Sequence, residues 1–154
     1  VPFIHAKMKE YQSDYINKGI IAFGLQSWCY PCGQPVFPPP GSFNGLLALS
    51  GIYDASYGLV LIWMIGLYEL TSHYLPNLPV DHPYMELYRH RKAIICVGQG
   101  PWEEPVSTYQ LRDILQQKQI PAWVDFWGYD CAHDWDWWYK QVTYFVPHLL
   151  YDPV

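Results

Sequence analysis

The chemistry-bearing residues of this chain gather in its last third. His133 stands within Tyr129-Asp130-Cys131-Ala132-His133-Asp134-Trp135-Asp136-Trp137-Trp138. An apolar run with strand character, residues 121–128, precedes it. A run with helical spacing follows, in which Trp138, Val142, Phe145 and Leu149 share one face. An imidazole on a loop between a strand and a helix can serve as a general base. Glu103 and Glu104 occupy an earlier polar loop, again after an apolar run. A carboxylate is the group that orients such an imidazole, and the pair can activate a hydroxyl nucleophile for acyl transfer. The plainer readings are a packed histidine among aromatics and two solvated loop carboxylates.

Other reactive groups offer less. Cys29 and Cys32 form a C-x-x-C, but no second Cys/His pair follows at zinc spacing. A thioredoxin-like use needs a helix after the first cysteine, and Pro31, Pro35 and Pro38, Pro39 and Pro40 forbid one. Cys96 lies in an apolar run and reads as a small buried hydrophobe. No metal and no cofactor are expected, and a reducing, cytoplasmic setting fits the cysteine usage. The net charge of −5 and the scattered basic residues argue against a nucleic-acid partner. The densest basic run, Arg89-His90-Arg91-Lys92, reads as a solvated face. The apolar run 59–67 is too short for a bilayer, which needs about 20 residues, so no membrane partner is expected.

The elements that must position these groups are legible as apolar runs. Residues 20–24, 45–51, 93–98 and 123–127 read as strands. They are continuous rather than alternating, as strands covered on both faces are. Residues 108–117 read as a helix with Leu111, Ile114 and Leu115 inward, and residues 2–11 as a short helix with Phe3, Ile4 and Met8 on one side. Strands separated by helices imply βαβ units and a parallel sheet. Residues 74–84 are rich in turn formers and read as a connecting loop or an insertion over a site. A chain of 154 residues, 51% hydrophobic, is one domain with a real core.

Four runs carry a resemblance: FNGLLALSGIYD (43–54), ICVGQGPWEE (95–104), IPAWVDFWGYD (120–130) and HDWDWWYKQVTYF (133–145). They are similar to the esterase branch of the α/β-hydrolases, which includes esterase D, feruloyl esterases and mycolyl transferases. The resemblance implies a partial α/β-hydrolase fold, a parallel sheet flanked by helices. It implies a carboxylic-ester hydrolase with Glu103 or Glu104 as triad acid, His133 as base and a small-molecule ester as substrate. The family has strands and an oxyanion-hole amide upstream of its nucleophile, so residues 1–154, which open on Val1, read as a single C-terminal fragment with the N-terminal strands missing. The strand ending at Gly24 would then have an open edge for self-association.

The departure lies at the nucleophile. The family reads roughly GCSxGxxHAxNFFxRxP, and here Gln26 takes the serine position. Ser27 is one residue late; it is a weaker alternative nucleophile, and its backbone N–H is the oxyanion donor the motif leaves. Trp28 stands where a glycine is needed, and prolines replace the following helix. One permitted back-translation of residues 25–40, read from the last two bases of the Gly24 codon, gives GCSHGATHAANLFFRHP. A shifted frame over this stretch would thus account for the lost elbow. Two expectations follow. The first is an esterase-type chain that is inactive as written. The second is a non-catalytic binding module, with Trp102, Trp135, Trp137 and Trp138 lining a groove for carbohydrate or another planar ligand. Within the hydrolase reading, Trp102 and Trp135 are the substrate-binding candidates.

Overall fold

The structure is a computed structural model that describes residues 6–7, 9–10, 21–25, 44–53 and 75–152. The four apolar runs form strands β1 (Ile21–Leu25), β2 (Gly45–Leu49), β3 (Lys92–Val97) and β4 (Trp123–Phe126). They make one sheet in the order β1-β2-β3-β4, each strand parallel to the next. Leu47 pairs with Phe23 on one side and Ile94 on the other, and Cys96 lies opposite Asp125. The boundaries sit within a residue or two of the apolar runs.

Successive side chains on a strand point to opposite faces, so a sheet covered on both faces needs apolar residues at every position. The central strands show this. Ala48, Ala93 and Ile95 pack with Leu75, Met85, Tyr88, Leu111 and Leu115 on one face. Leu47, Leu49, Ile94 and Cys96 pack with Trp138, Phe145 and Leu149 on the other. The first face is covered by helices α1 (Pro83–Arg89) and α2 (Val106–Gln117), the second by α3 (Trp135–Tyr151). The result is three layers with the parallel sheet in the middle, a partial α/β fold.

Helix α3 follows its sequence pattern: Trp138, Phe145 and Leu149 are buried and Val142 packs against them. It starts where Asp134, in extended conformation, accepts a hydrogen bond from the Trp137 amide at 3.1 Å. That side chain satisfies one of the orphan donors of the first turn. Helix α1 departs from expectation. The turn-rich stretch holds a helical turn at 75–77 and then α1 itself, with His82 accepting from the Tyr84 amide at 3.1 Å and Pro83 at the first position. The basic run is no uniform face either. Arg89 closes α1, His90 follows it, and Lys92 opens β3. Of the expected N-terminal helix, residues 6–7 and 9–10 are helical, while Phe3, Ile4 and Met8 lie outside the described residues. The run 59–67 lies outside them too.

Candidate active site

In a parallel sheet the loops at the carboxyl ends of the strands share one edge. Two of these loops, 98–105 after β3 and 127–134 after β4, are joined by a ladder of hydrogen bonds. The Trp127 amide donates to Val97 O at 2.9 Å, Gly100 to Cys131 O at 2.9 Å, and His133 to Pro101 O at 3.0 Å. The Gln99 side chain adds a bond to Trp127 O at 2.8 Å. Backbones can approach so closely because Gly100 has no side chain. A Cβ there would lie 2.6 Å from Cys131 O, and Gly98 faces the same carbonyl.

This ladder brings together Glu103 and His133, thirty residues apart. His133 Nδ1 lies 3.3 Å from Glu103 Oε2. The carboxylate is 1% exposed and the imidazole 20%. A buried carboxylate is costly unless its oxygens are hydrogen-bonded. Both are. Oε2 takes His133, and Oε1 accepts from the Ser50 hydroxyl at 2.6 Å. Ser50 in turn accepts from the indole N–H of Trp138 at 3.0 Å. The Trp138 ring meets the His133 ring edge-on, with centroids 5.0 Å apart.

Ser50 was not singled out by the sequence. It follows the last residue of β2, its amide donates to Cys96 O at 2.8 Å, and its φ is 51°. That is the left-handed region, where a non-glycine residue costs roughly 1–2 kcal/mol. A non-glycine residue held there at a strand's carboxyl end, beside a buried carboxylate, has a reason to be there beyond turn-making.

Glu104 faces elsewhere. It accepts from the amides of Val106 and Ser107 at 3.0 and 3.1 Å and from the Ser107 hydroxyl at 2.6 Å. Its charge thus sits on the unsatisfied donors that open α2, where a negative group is favourable. Glu103, not Glu104, is the carboxylate beside His133. Gln26 and Ser27 follow β1 directly and lie outside the described residues, as do Cys29 and Cys32.

The four tryptophans divide. Trp138 is core, not groove. Trp137 packs edge-on to Trp127 and carries the Lys140 ammonium over its face at 3.9 Å. Trp102 is 91% exposed with φ 67°, on the loop that holds Glu103, and Trp135 is 59% exposed, edge-on to Trp138. Of these four tryptophans, Trp102 and Trp135 are the exposed ones, on the loop that carries Glu103 and just after His133.

The cysteines at the site are thiols. Cys96 and Cys131 are both buried and unbridged. Burial first, and then the nearby charge of Glu103, pushes the Cys131 thiol up to about 12. Burial pushes Cys96 up as well. Neither forms a thiolate nucleophile near neutral pH. Among the described residues no group of three His, Cys, Asp or Glu side chains is placed to hold a metal ion. No described helix is long and apolar enough to cross a membrane.

Comparison with solved structures finds the same architecture elsewhere. The fold is similar to that of a ferulic acid esterase. The two align with a TM-score of 0.71 at 14% identity, over 96% of this chain. The chain spans 57% of the length of that esterase. No family model and no curated protein matches the chain. An identity this low carries the fold and not the chemistry.

Proposed function

We propose that this chain carries the acid–base half of a serine carboxylic-ester hydrolase. The observation that carries the reading is the buried Glu103 carboxylate against His133 Nδ1 at the carboxyl edge of a parallel sheet. The fold shared with a ferulic acid esterase supports it. With Nδ1–H donating to Glu103, the lone pair of His133 is on Nε2. From there it can take a proton from a hydroxyl nucleophile and return it to the leaving alcohol. The acyl-enzyme is then released by water, which the same imidazole activates. In the family pattern the hydroxyl comes from the turn after β1, where this chain has Gln26. A glutamine amide has no ionisable hydroxyl and cannot attack. The chain therefore keeps the acid–base pair and lacks turnover as written.

A second reading, ligand binding without turnover, draws on the exposed Trp102 and Trp135 beside the pair. A planar or sugar ring could stack on them. One experiment separates the readings: fluorophosphonate labelling and turnover of a chromogenic ester. The unmodified chain and Gln26→Ser are expected to stay unlabelled, because Trp28 and the prolines still prevent the turn and its helix. Replacing residues 24–40 with GCSHGATHAANLFFRHP, which puts the serine at position 26, and joining the chain to the upstream strands and oxyanion-hole amide of a family member is expected to give labelling that His133→Ala abolishes. Serine labelling of the unmodified chain would refute the loss of turnover. Labelling of the rebuilt chain that survives His133→Ala would refute the acid–base role.

A further inference from the structure

We infer that Ser50 is a positioning residue for the acid–base pair: its hydroxyl, oriented by the Trp138 indole, holds the Glu103 carboxylate with Oε2 toward His133 Nδ1. The inference rests on the reading of Glu103 and His133 as acid and base.

The direction of the hydrogen bonds is forced by chemistry. An indole nitrogen only donates, and an ionised carboxylate only accepts. The Ser50 oxygen, 3.0 Å from Trp138 Nε1, must therefore accept there. Its own hydrogen is left for Glu103 Oε1 at 2.6 Å. The hydroxyl has one rotor, and Trp138 sets it. Glu103 then has one oxygen fixed and the other presented to His133. Of the two contacts to the carboxylate, the one from Ser50 is the shorter, 2.6 Å against 3.3 Å. Ser50 is the firmer anchor.

The backbone supports this placement. Ser50 is 3% exposed, and its amide is tied to Cys96 O on the strand whose following loop carries Glu103. Its φ of 51° suits glycine, and a glycine is the very next residue. A serine held there keeps a hydroxyl at the cost of an unfavourable conformation. Trp138 touches both ends of the chain of contacts. It donates to Ser50 and packs its ring against His133. The four side chains come from the end of β2, the loop after β3, the loop after β4 and helix α3, so the pair is locked to the sheet by Ser50 and to α3 by Trp138.

A purely structural serine would do no more than satisfy the Trp138 N–H. Nitrogen-15 NMR of the full chain separates the two roles. It reads which ring nitrogen of His133 carries the proton and how fast that proton exchanges with water. The unmodified chain is expected to show a protected Nδ1–H. Glu103→Gln is the reference and is expected to remove that signature. Ser50→Ala is expected to speed exchange of the Nδ1 proton at least about tenfold, the factor for one lost hydrogen bond to a charged group. Ser50→Gly relaxes the backbone and also lacks the hydroxyl. It is expected to match Ser50→Ala in exchange while differing from it in melting temperature. Trp138→Phe frees the rotor and is expected to shift exchange in the same direction by less. Exchange that tracks melting temperature across these variants, or that stays unchanged in Ser50→Ala while Glu103→Gln moves it, would overturn the role of Ser50 alone. A His133 signature unmoved by Glu103→Gln would overturn the acid–base reading and the inference with it.

Discussion

The two edges of the sheet handle charge in opposite ways. At the carboxyl edge Glu103 is out of water, with both oxygens hydrogen-bonded by side chains from other elements. At the amino edge the first residues of β3 and β4 line an open cleft of about 670 Å³, together with Arg89, His90, Arg91, His148 and Asp152. Charges there pair along the same helix or its end: Glu86 with Arg89 and His90, and His148 with Asp152 at 2.7 Å. The Lys92 ammonium is spent on the backbone carbonyls of Leu149 and Asp152. The lesson is that pairing alone does not fix geometry. Water competes for the amino-edge groups, whereas Glu103 has only protein partners to choose from.

Removing the buried carboxylate tests the contrast most strongly. Glu103→Ala leaves the Ser50 hydroxyl without its acceptor and His133 Nδ1 without its partner. A loss of about 3 kcal/mol is expected in chemical denaturation, the scale for breaking a buried hydrogen-bonded charge. A shift no larger than that of a surface substitution would mean that the carboxyl edge is as forgiving as the amino edge.

The backbone ladder beneath the pair comes next. Gly100→Ala would drive a Cβ to 2.6 Å from Cys131 O, so the two loops must part. About 2 kcal/mol of stability is expected to be lost, the usual scale of overpacking. The His133 Nδ1 proton should exchange faster as well, since the His133 amide hangs on Pro101 O of the same loop. A stable variant with unchanged His133 exchange would show that the ladder does not set the distance between the pair.

Glu104 offers an internal control, one residue from Glu103. Glu104→Ala removes a negative group from the start of α2. It is expected to cost about 1 kcal/mol, as a lost helix cap does. The His133 signature should not move. If it does, the two neighbouring carboxylates are not as separate as their contacts indicate.

How much of this was legible beforehand follows from the range of each interaction. The strands stood out because parallel strands covered on both faces need unbroken apolar runs, and 93–98 is such a run. Helix α3 stood out because its buried residues fall at helical spacing. Helix α1 was hidden in a turn-rich stretch, since seven residues give too little periodicity. Its start signal, His82 before Pro83, was there to be read. Glu103 and Glu104 could not be told apart because adjacent residues share every local feature, and only the loop ladder turns one toward His133. Ser50 could not be found at all. Its partners lie 53 and 88 residues away, and no local pattern marks a hydroxyl that will meet a buried carboxylate.

The smallest expected effect belongs to the amino edge. Glu86 is paired in geometry with Arg89 at 3.3 Å and His90 at 3.0 Å. Those partners, His90 first, hold its carboxyl below the usual value. A lowered carboxyl contributes stability that is present above the unfolded value of 4.5 and is lost as pH falls through the folded one. Here, however, the side chain is 66% exposed and water screens the pairs. Glu86→Gln is therefore expected to leave the denaturation midpoint unchanged at pH 7 in physiological salt. A small difference should emerge only at low salt, and it should fade on acidification as pH falls through the lowered Glu86 value. The contrast with Glu103→Ala is the point of the measurement. Glu86 shows an arginine and a histidine and keeps its water; Glu103 shows one hydroxyl and one imidazole and has none. If Glu86→Gln proved as costly as Glu103→Ala, partner count rather than burial would govern which carboxylates hold this fold in place.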